Sequence, residues 1–118
     1  MLTEFGKTLR MMRIAHGNKT LGDLGEMLGV SATFVSAIET GKKSVPPSFI
    51  NELKEKLNLS ADEVRKLEKA AAKQAKEISM GLHDRTDRAR ELAVAFARRF
   101  ENMTDADVEK VLGQLDRL

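Results

Sequence analysis

Apolar residues recur at helical spacing along most of the chain. Phe5, Leu9 and Met12, with Ile14 close behind, follow Thr3 at intervals that keep them on one side of a helix. Thr3 is a good N-cap, because its hydroxyl can accept from a free N–H of the first turn, and Gly17 with Asn18 stops the helix. Thr20 opens a shorter stripe of Leu21, Leu24, Met27 and Leu28, ended by Gly29, which supplies the positive φ of a tight turn. Ser31 at once caps a third helix, with Phe34, Val35 and Ile38 inward and Gly41 closing it. A loop holding both prolines and two lysines leads to Pro47, which suits the first position of a fourth helix with Phe49, Ile50, Leu53 and Leu57 inside. Ser60 and Glu63 have capping-box spacing and open a fifth helix through Val64, Leu67, Ala70, Ala71 and Ala75 to about Glu77.

Beyond it the pattern changes. Ile78, Met80 and Leu82 alternate with Ser79, Gly81 and His83, which is strand-like, in a stretch rich in Gly, His and charge. The helical period returns from Asp87, with Leu92, Ala93, Phe96, Ala97 and Phe100. Thr104, with Asp107 three residues on, caps a last helix carrying Val108, Val111, Leu112 and Leu115. The expected architecture is all-α: residues 1–78 as a five-helix unit with a long fifth helix, and residues 79–118 as a helical hairpin.

Composition narrows the chemistry. The only aromatic residues among the 118 are five Phe, and there is no Cys. Disulfide scaffolds, thiolate zinc sites and thiol nucleophiles are excluded, and the usage fits a reducing cytosol. Glu4, Lys7 and Arg10 interrupt the first apolar stretch, so it reads as neither signal peptide nor membrane span, and a cytoplasmic protein without a membrane partner is expected. The net charge is +2. The excess lies up to Asn58, with eight basic against six acidic residues, and the remainder has twelve of each. Charge alone does not suggest nucleic acid. His16 and His83 lack metal-ligand spacing, and no nucleophile–base set, phosphate-cradling Gly loop or buried carboxylate pair stands out. No metal, no cofactor and no enzymatic activity are expected. The arginines at 85, 88, 90, 98 and 99 read as a solvated face paired with Asp84, Asp87 and Glu91.

The most informative stretch is Thr20–Gly41, TLGDLGEMLGVSATFVSAIETG. Leu24 and Leu28 anchor the first of its two helices, Gly25 admits a close neighbour, Gly29 turns the chain through about a right angle and Val30 plugs the corner. The second helix then projects its N-terminal residues, a presentation that fits the major groove of duplex DNA.

Residues 4–58 resemble the Cro/repressor-type (Xre family) helix-turn-helix regulators, a group that includes antitoxin-like members. FGKTLRMMR, LGDLGEMLGVSATFVSAIETGKK and the following helix match the family's pattern in order. The resemblance implies a DNA-reading third helix, with Ser31, Ala32, Thr33, Ser36 and Ala37 toward bases and phosphates. It also places Thr40, Lys42 and Lys43, together with Lys19 and Thr20, at the phosphate backbone. Where the family often has Gln at the start of its second helix, this chain has Leu21. The reading surface lacks the Gln, Asn or Arg of bidentate base contacts, which turns the expectation toward DNA shape, methyl contacts and water. Arg13 and Glu39 stand where the family pairs its first helix with the end of its third, as a structural ion pair.

The C-terminal hairpin has two readings. Leu92, Phe96, Phe100, Val108, Val111, Leu112 and Leu115 either form a homodimer interface or pack on the fifth helix. A repressor bound as a dimer to a palindromic operator is the expected function. The alternative, also carried by the resemblance, is an antitoxin-like module whose C-terminal helices engage a toxin or a protease.

Overall fold

The computed structural model describes residues 1–118. It contains seven α-helices and no strand: α1 (Glu4–Ala15), α2 (Leu21–Leu28), α3 (Ala32–Glu39), α4 (Pro47–Leu57), α5 (Ala61–Gln74), α6 (Asp87–Phe100) and α7 (Asp105–Leu115). No single helix is long and apolar enough to cross a membrane. The chain forms two compact units, Met1–Met80 and Gly81–Leu118.

Hydroxyl caps set nearly all the helix starts. Thr3, Thr20, Ser31, Ser60, Thr86 and Thr104 each accept a hydrogen bond from the third residue of the helix they precede, and Thr20, Ser60 and Thr104 complete capping boxes with Asp23, Glu63 and Asp107. Each such cap contributes ~1 kcal/mol by satisfying an otherwise free N–H. The exception is α4, which starts on Pro46 with Pro47 in its first turn. There the missing N–H needs no partner.

In the N-terminal unit α1 packs on α3 and α5, α2 on α3 and α4, and α4 on α5. Phe5, Leu9, Leu24, Val35, Ile38, Leu53 and Leu67 are fully buried at the centre, with Met12, Leu28, Phe49, Leu57, Leu59 and Ala70 around them. Burying each large member stabilises by roughly 1.5–3 kcal/mol. The rings of Phe34, Phe49 and Phe5 follow one another at 6.3 and 6.4 Å between centroids, tilted by about fifty degrees, from the α3 surface to the core.

Several expectations are corrected. Ile14 is exposed rather than part of the α1 stripe. Phe34 and Val30 are only half-buried. The fifth helix stops at Gln74, because Ala75 turns to extended backbone (φ −73°, ψ 128°), and Lys76 and Glu77 are exposed, leaving no apolar contact to hold another turn. The alternation at residues 78–82 forms no strand; nothing pairs with it, and an unpaired strand leaves its backbone groups unsatisfied. His16 has a partner the sequence did not suggest: its Nε2 lies 2.7 Å from Glu63 Oε2, joining the end of α1 to the start of α5. The Ser60 backbone N–H, and after it the His16 contact, holds the Glu63 carboxyl below its ordinary range.

In the C-terminal unit Arg90 donates to the carbonyls of Leu82 and His83, fixing the approach to α6. Of the expected charge pairs, Arg88 meets Glu91 at 3.0 Å, and Asp84 is met by His83 rather than by an arginine.

Candidate nucleic-acid interface

The N-terminal unit presents α3 through two near contacts of backbone with backbone. Gly25 on α2 lies against the turn that follows. A methyl group there would stand 2.7 Å from the Val30 carbonyl oxygen and 3.1 Å from the Ser31 carbonyl carbon. Gly29 holds the turn in the left-handed region (φ 72°), and α2 and α3 meet at 109°. Gly6 on α1 comes so close to the end of α3 that a methyl would overlap the Glu39 carbonyl. Because backbone cannot swing aside, Gly25→Ala should cost about 2 kcal/mol. The melting temperature should fall by roughly 4–8 °C per kcal/mol. A melting curve within about 2 °C of the parent would remove the close-approach account of Gly25.

The C-terminal end of α3 is pinned by an ion pair. Arg13 Nε donates to Glu39 Oε2 at 2.9 Å and Nη2 to Oε1 at 3.4 Å, while Nη1 donates to the Lys19 carbonyl at 2.7 Å. Both side chains are largely buried, at 11% and 5% exposure. The Glu39 carbonyl also accepts from the N–H and hydroxyl of Thr3 at 3.1 and 3.2 Å. One residue thus ties α3 to the start and end of α1 and, through Arg13, to the entry of α2.

At the projecting end, Ser31, Ala32 and Thr33 are exposed, and Ser36, Ala37 and Thr40 are half-buried. Ser31 Oγ accepts from the Phe34 N–H at 3.0 Å, leaving its own hydrogen to donate. The Thr33 and Ser36 hydroxyls have no partner within the chain. Thr40 differs: its hydroxyl donates to the Ser36 carbonyl at 2.9 Å, so it has no hydrogen left for a phosphate while that bond holds. Lys42 and Lys43 are exposed just past the helix. The Lys43 N–H closes on the Ala37 carbonyl at 3.1 Å and its Nζ lies 5.7 Å from the Phe34 ring centroid, which holds an ammonium beside α3.

This end carries no acid. The first turns of α1, α2, α5, α6 and α7 each carry an acidic residue, and those of α3 and α4 carry none; α4 opens on Pro46 and Pro47, which have no N–H to offer, whereas α3 opens on Ser31 and Ala32. Its partial positive charge stays uncompensated, the condition under which a helix N-terminus tolerates a phosphate. The start of α2 is the opposite case. Asp23 Oδ2 takes the Thr20 N–H at 2.9 Å while the Thr20 hydroxyl takes the Asp23 N–H. The Thr20 N–H, chiefly, holds the Asp23 carboxyl below its ordinary range. A carboxylate already occupies the place where the sequence led us to expect a phosphate on Thr20. What remains free there is the Lys19 ammonium and the hydrogen of the Thr20 hydroxyl.

Ser31, Ala32, Thr33, Lys42 and Lys43 are therefore exposed at the two ends of one short helix, with Ser36 and Ala37 between them, and Lys19 and Thr20 lie at the start of the helix before it. Sequence reasoning missed the Phe34–Lys43 contact and the internal use of the Thr40 hydroxyl. Neither has a signal in one-dimensional spacing.

No curated protein and no solved structure matches the chain. A family model described as a helix-turn-helix domain matches residues 4–67, over half of it. That span contains the capped α2, the left-handed turn at Gly29 and α3. The chain belongs to the helix-turn-helix domain family and carries the DNA-binding unit of that family in its N-terminal half, consistent with Cro/Xre-type regulators.

Proposed function

We propose that the protein is a sequence-specific, double-stranded-DNA-binding transcriptional regulator, a cytoplasmic repressor that binds a palindromic operator as a homodimer. The observation that carries this reading is the exposed, acid-free start of α3, set at 109° to α2 and followed by two lysines. Ser31, Thr33 and Ser36 offer hydroxyls to phosphate or base, and Ala32 and Ala37 suit a thymine methyl. Lys19, Thr20, Lys42 and Lys43 lie toward the backbone. With no side chain for bidentate base contacts, one copy of α3 discriminates weakly, and two copies at fixed spacing supply the selectivity. The C-terminal unit supplies the dimer through Leu92, Phe96, Phe100, Val108, Val111, Leu112 and Leu115.

Selection of bound sequences from a random duplex pool by the full-length protein tests the reading. The expected product is an inverted repeat with half-site centres about 10 base pairs apart. Failure to enrich any sequence at moderate salt would overturn sequence-specific binding, and enrichment of a lone half-site would overturn the dimer alone.

A second reading has support in the exposed apolar side chains of α6 and α7, which suit a toxin or protease in an antitoxin-like protein as well as a second copy. Co-purification of a stoichiometric partner with the full-length chain from its native source is its expected result. Purification of the chain alone would count against it.

A further inference from the structure

Phe34, in the first turn of α3, has two neighbours of opposite kind. Toward the core its ring packs on Phe49, 6.3 Å away between centroids. Toward solvent the Lys43 ammonium lies 5.7 Å from its centroid. The Phe34 N–H is engaged as well, donating to Ser31 Oγ at 3.0 Å. One half-buried residue thus touches the core, the cap of α3 and a cation.

Lys43 is held at both ends. Its N–H donates to the Ala37 carbonyl at 3.1 Å, and its ammonium returns to Phe34, one turn nearer the start of α3, ~4.5 Å along the axis. The side chain therefore runs back along the helix, toward the end that carries no acid. Lys42, the residue before it, has neither hold: its N–H donates to no backbone carbonyl, and no ring lies under its ammonium. Neither lysine has an ion-pair partner in the chain.

The nature of the group that holds Lys43 matters for nucleic acid. A carboxylate would fix the side chain as firmly but cancel its charge, and a cancelled charge releases no counterion from DNA. An aromatic face attracts the ammonium through its quadrupole and leaves the charge in place. It also leaves N–H groups free to donate to a phosphate oxygen. A free lysine loses its rotamer freedom when it docks on a phosphate, whereas a lysine held on a ring has lost much of it during folding.

We propose that Phe34 is a positioning residue for DNA binding, whose ring holds the charged Lys43 ammonium beside the first turn of α3, so that this lysine meets a phosphate already ordered while Lys42 is ordered only on contact. The two lysines that follow α3 are then unequal, although they are adjacent and both exposed. Phe34 acts through Lys43 and not by touching DNA. The inference rests on the proposed reading of α3 as the DNA-facing helix and is independent of dimerisation.

Two measurements on the full-length protein test it. The first needs no DNA and no substitution. Carbon relaxation at the lysine Cε positions should give Lys43 a higher order parameter than Lys42, and Phe34→Leu should bring Lys43 down to the level of Lys42. The second is fluorescence anisotropy with a mixed-sequence duplex at low salt, where phosphate contacts dominate. Phe34→Leu should weaken binding roughly two- to tenfold for each copy of α3, and Phe34→Tyr, which keeps the ring, should bind as the parent does. The same Phe34→Leu change should have its full effect in a Lys42→Gln background and none in a Lys43→Gln background. Equal order parameters for the two lysines in the parent would overturn the proposal, and that result stands whether or not Phe34→Leu folds. A Phe34→Leu effect of the same size in both lysine backgrounds would make Phe34 merely structural and would overturn the positioning role alone. A parent that does not bind the duplex at all would overturn the DNA reading of α3 and this role with it.

Discussion

Replacing Arg13 by methionine should destabilise the N-terminal unit by about 3–5 kcal/mol, the cost of leaving a buried carboxylate without its cation. Glu39 has little access to water, and its side-chain oxygens have only Arg13. The same substitution frees the Lys19 carbonyl, so the turn into α2 loosens with the end of α3. The matching variant Glu39→Met should also destabilise, by leaving the guanidinium unpaired. The double variant Arg13→Met/Glu39→Met should recover most of the loss, because an apolar pair of similar volume carries no desolvation penalty. Amide hydrogen exchange at Leu9, Leu24 and Ile38 reads the stability of this unit separately from the C-terminal one. A single variant within about 1 kcal/mol of the parent, or a double variant no better than the worse single one, would show that the ion pair does not hold α3 in place.

That ion pair also shows where the sequence was legible. Arg13 and Glu39 were assigned through the motif, since 26 residues of separation carry no local signal. The helix starts were legible from the residues alone, because Thr3, Thr20, Ser31, Ser60 and Thr104 act within one turn of themselves. Thr86 acts in the same way before α6 and went unrecognised amid the charged residues around it. Helix ends were less legible. A capped Gly such as Gly29 marks itself, but α5 ends where its apolar contacts run out after Ala71, and those contacts belong to tertiary packing. The same holds for Leu59, buried between two helices without belonging to either stripe. At the candidate interface the residue list was legible from the motif, and the state of each hydroxyl was not. Ser31 keeps a donor and Thr40 does not, a difference made by the Ser36 carbonyl one turn back. Likewise the acid that belongs to the α2 capping box was visible as Asp23, but its consequence, a carboxylate at the Thr20 N–H, appears only once the box has formed.

Thr33→Glu should weaken binding to the selected operator by roughly thirtyfold or more per copy of α3, and it should do so without loss of folding. Thr33 is exposed, lies in the first turn of α3 and has no hydrogen-bond partner in the chain. A carboxylate at this position opposes no buried group. It complements the helix dipole, so the stability of the free protein should hold or rise by about 0.3–1 kcal/mol. Against duplex DNA the same charge meets phosphates on both walls of the groove, and like charges juxtaposed in an interface cost several kcal/mol, where each 1.4 kcal/mol is tenfold in affinity. Stability and affinity therefore move in opposite directions, which no general loss of fold produces. Neutralising Lys42 and Lys43 to glutamine should act differently. Binding should fall across all sequences alike, and the dependence of log K on log salt should flatten by about 0.9 for each lysine that displaces a counterion. Fluorescence anisotropy across a salt series separates the two effects. If Thr33→Glu bound the operator as the parent does, the reading face would have to lie elsewhere on the N-terminal unit. If the lysine variant kept the parental slope, those ammonium groups would be solvated loop charges, and the Lys19 ammonium would be left as the remaining cation near the face.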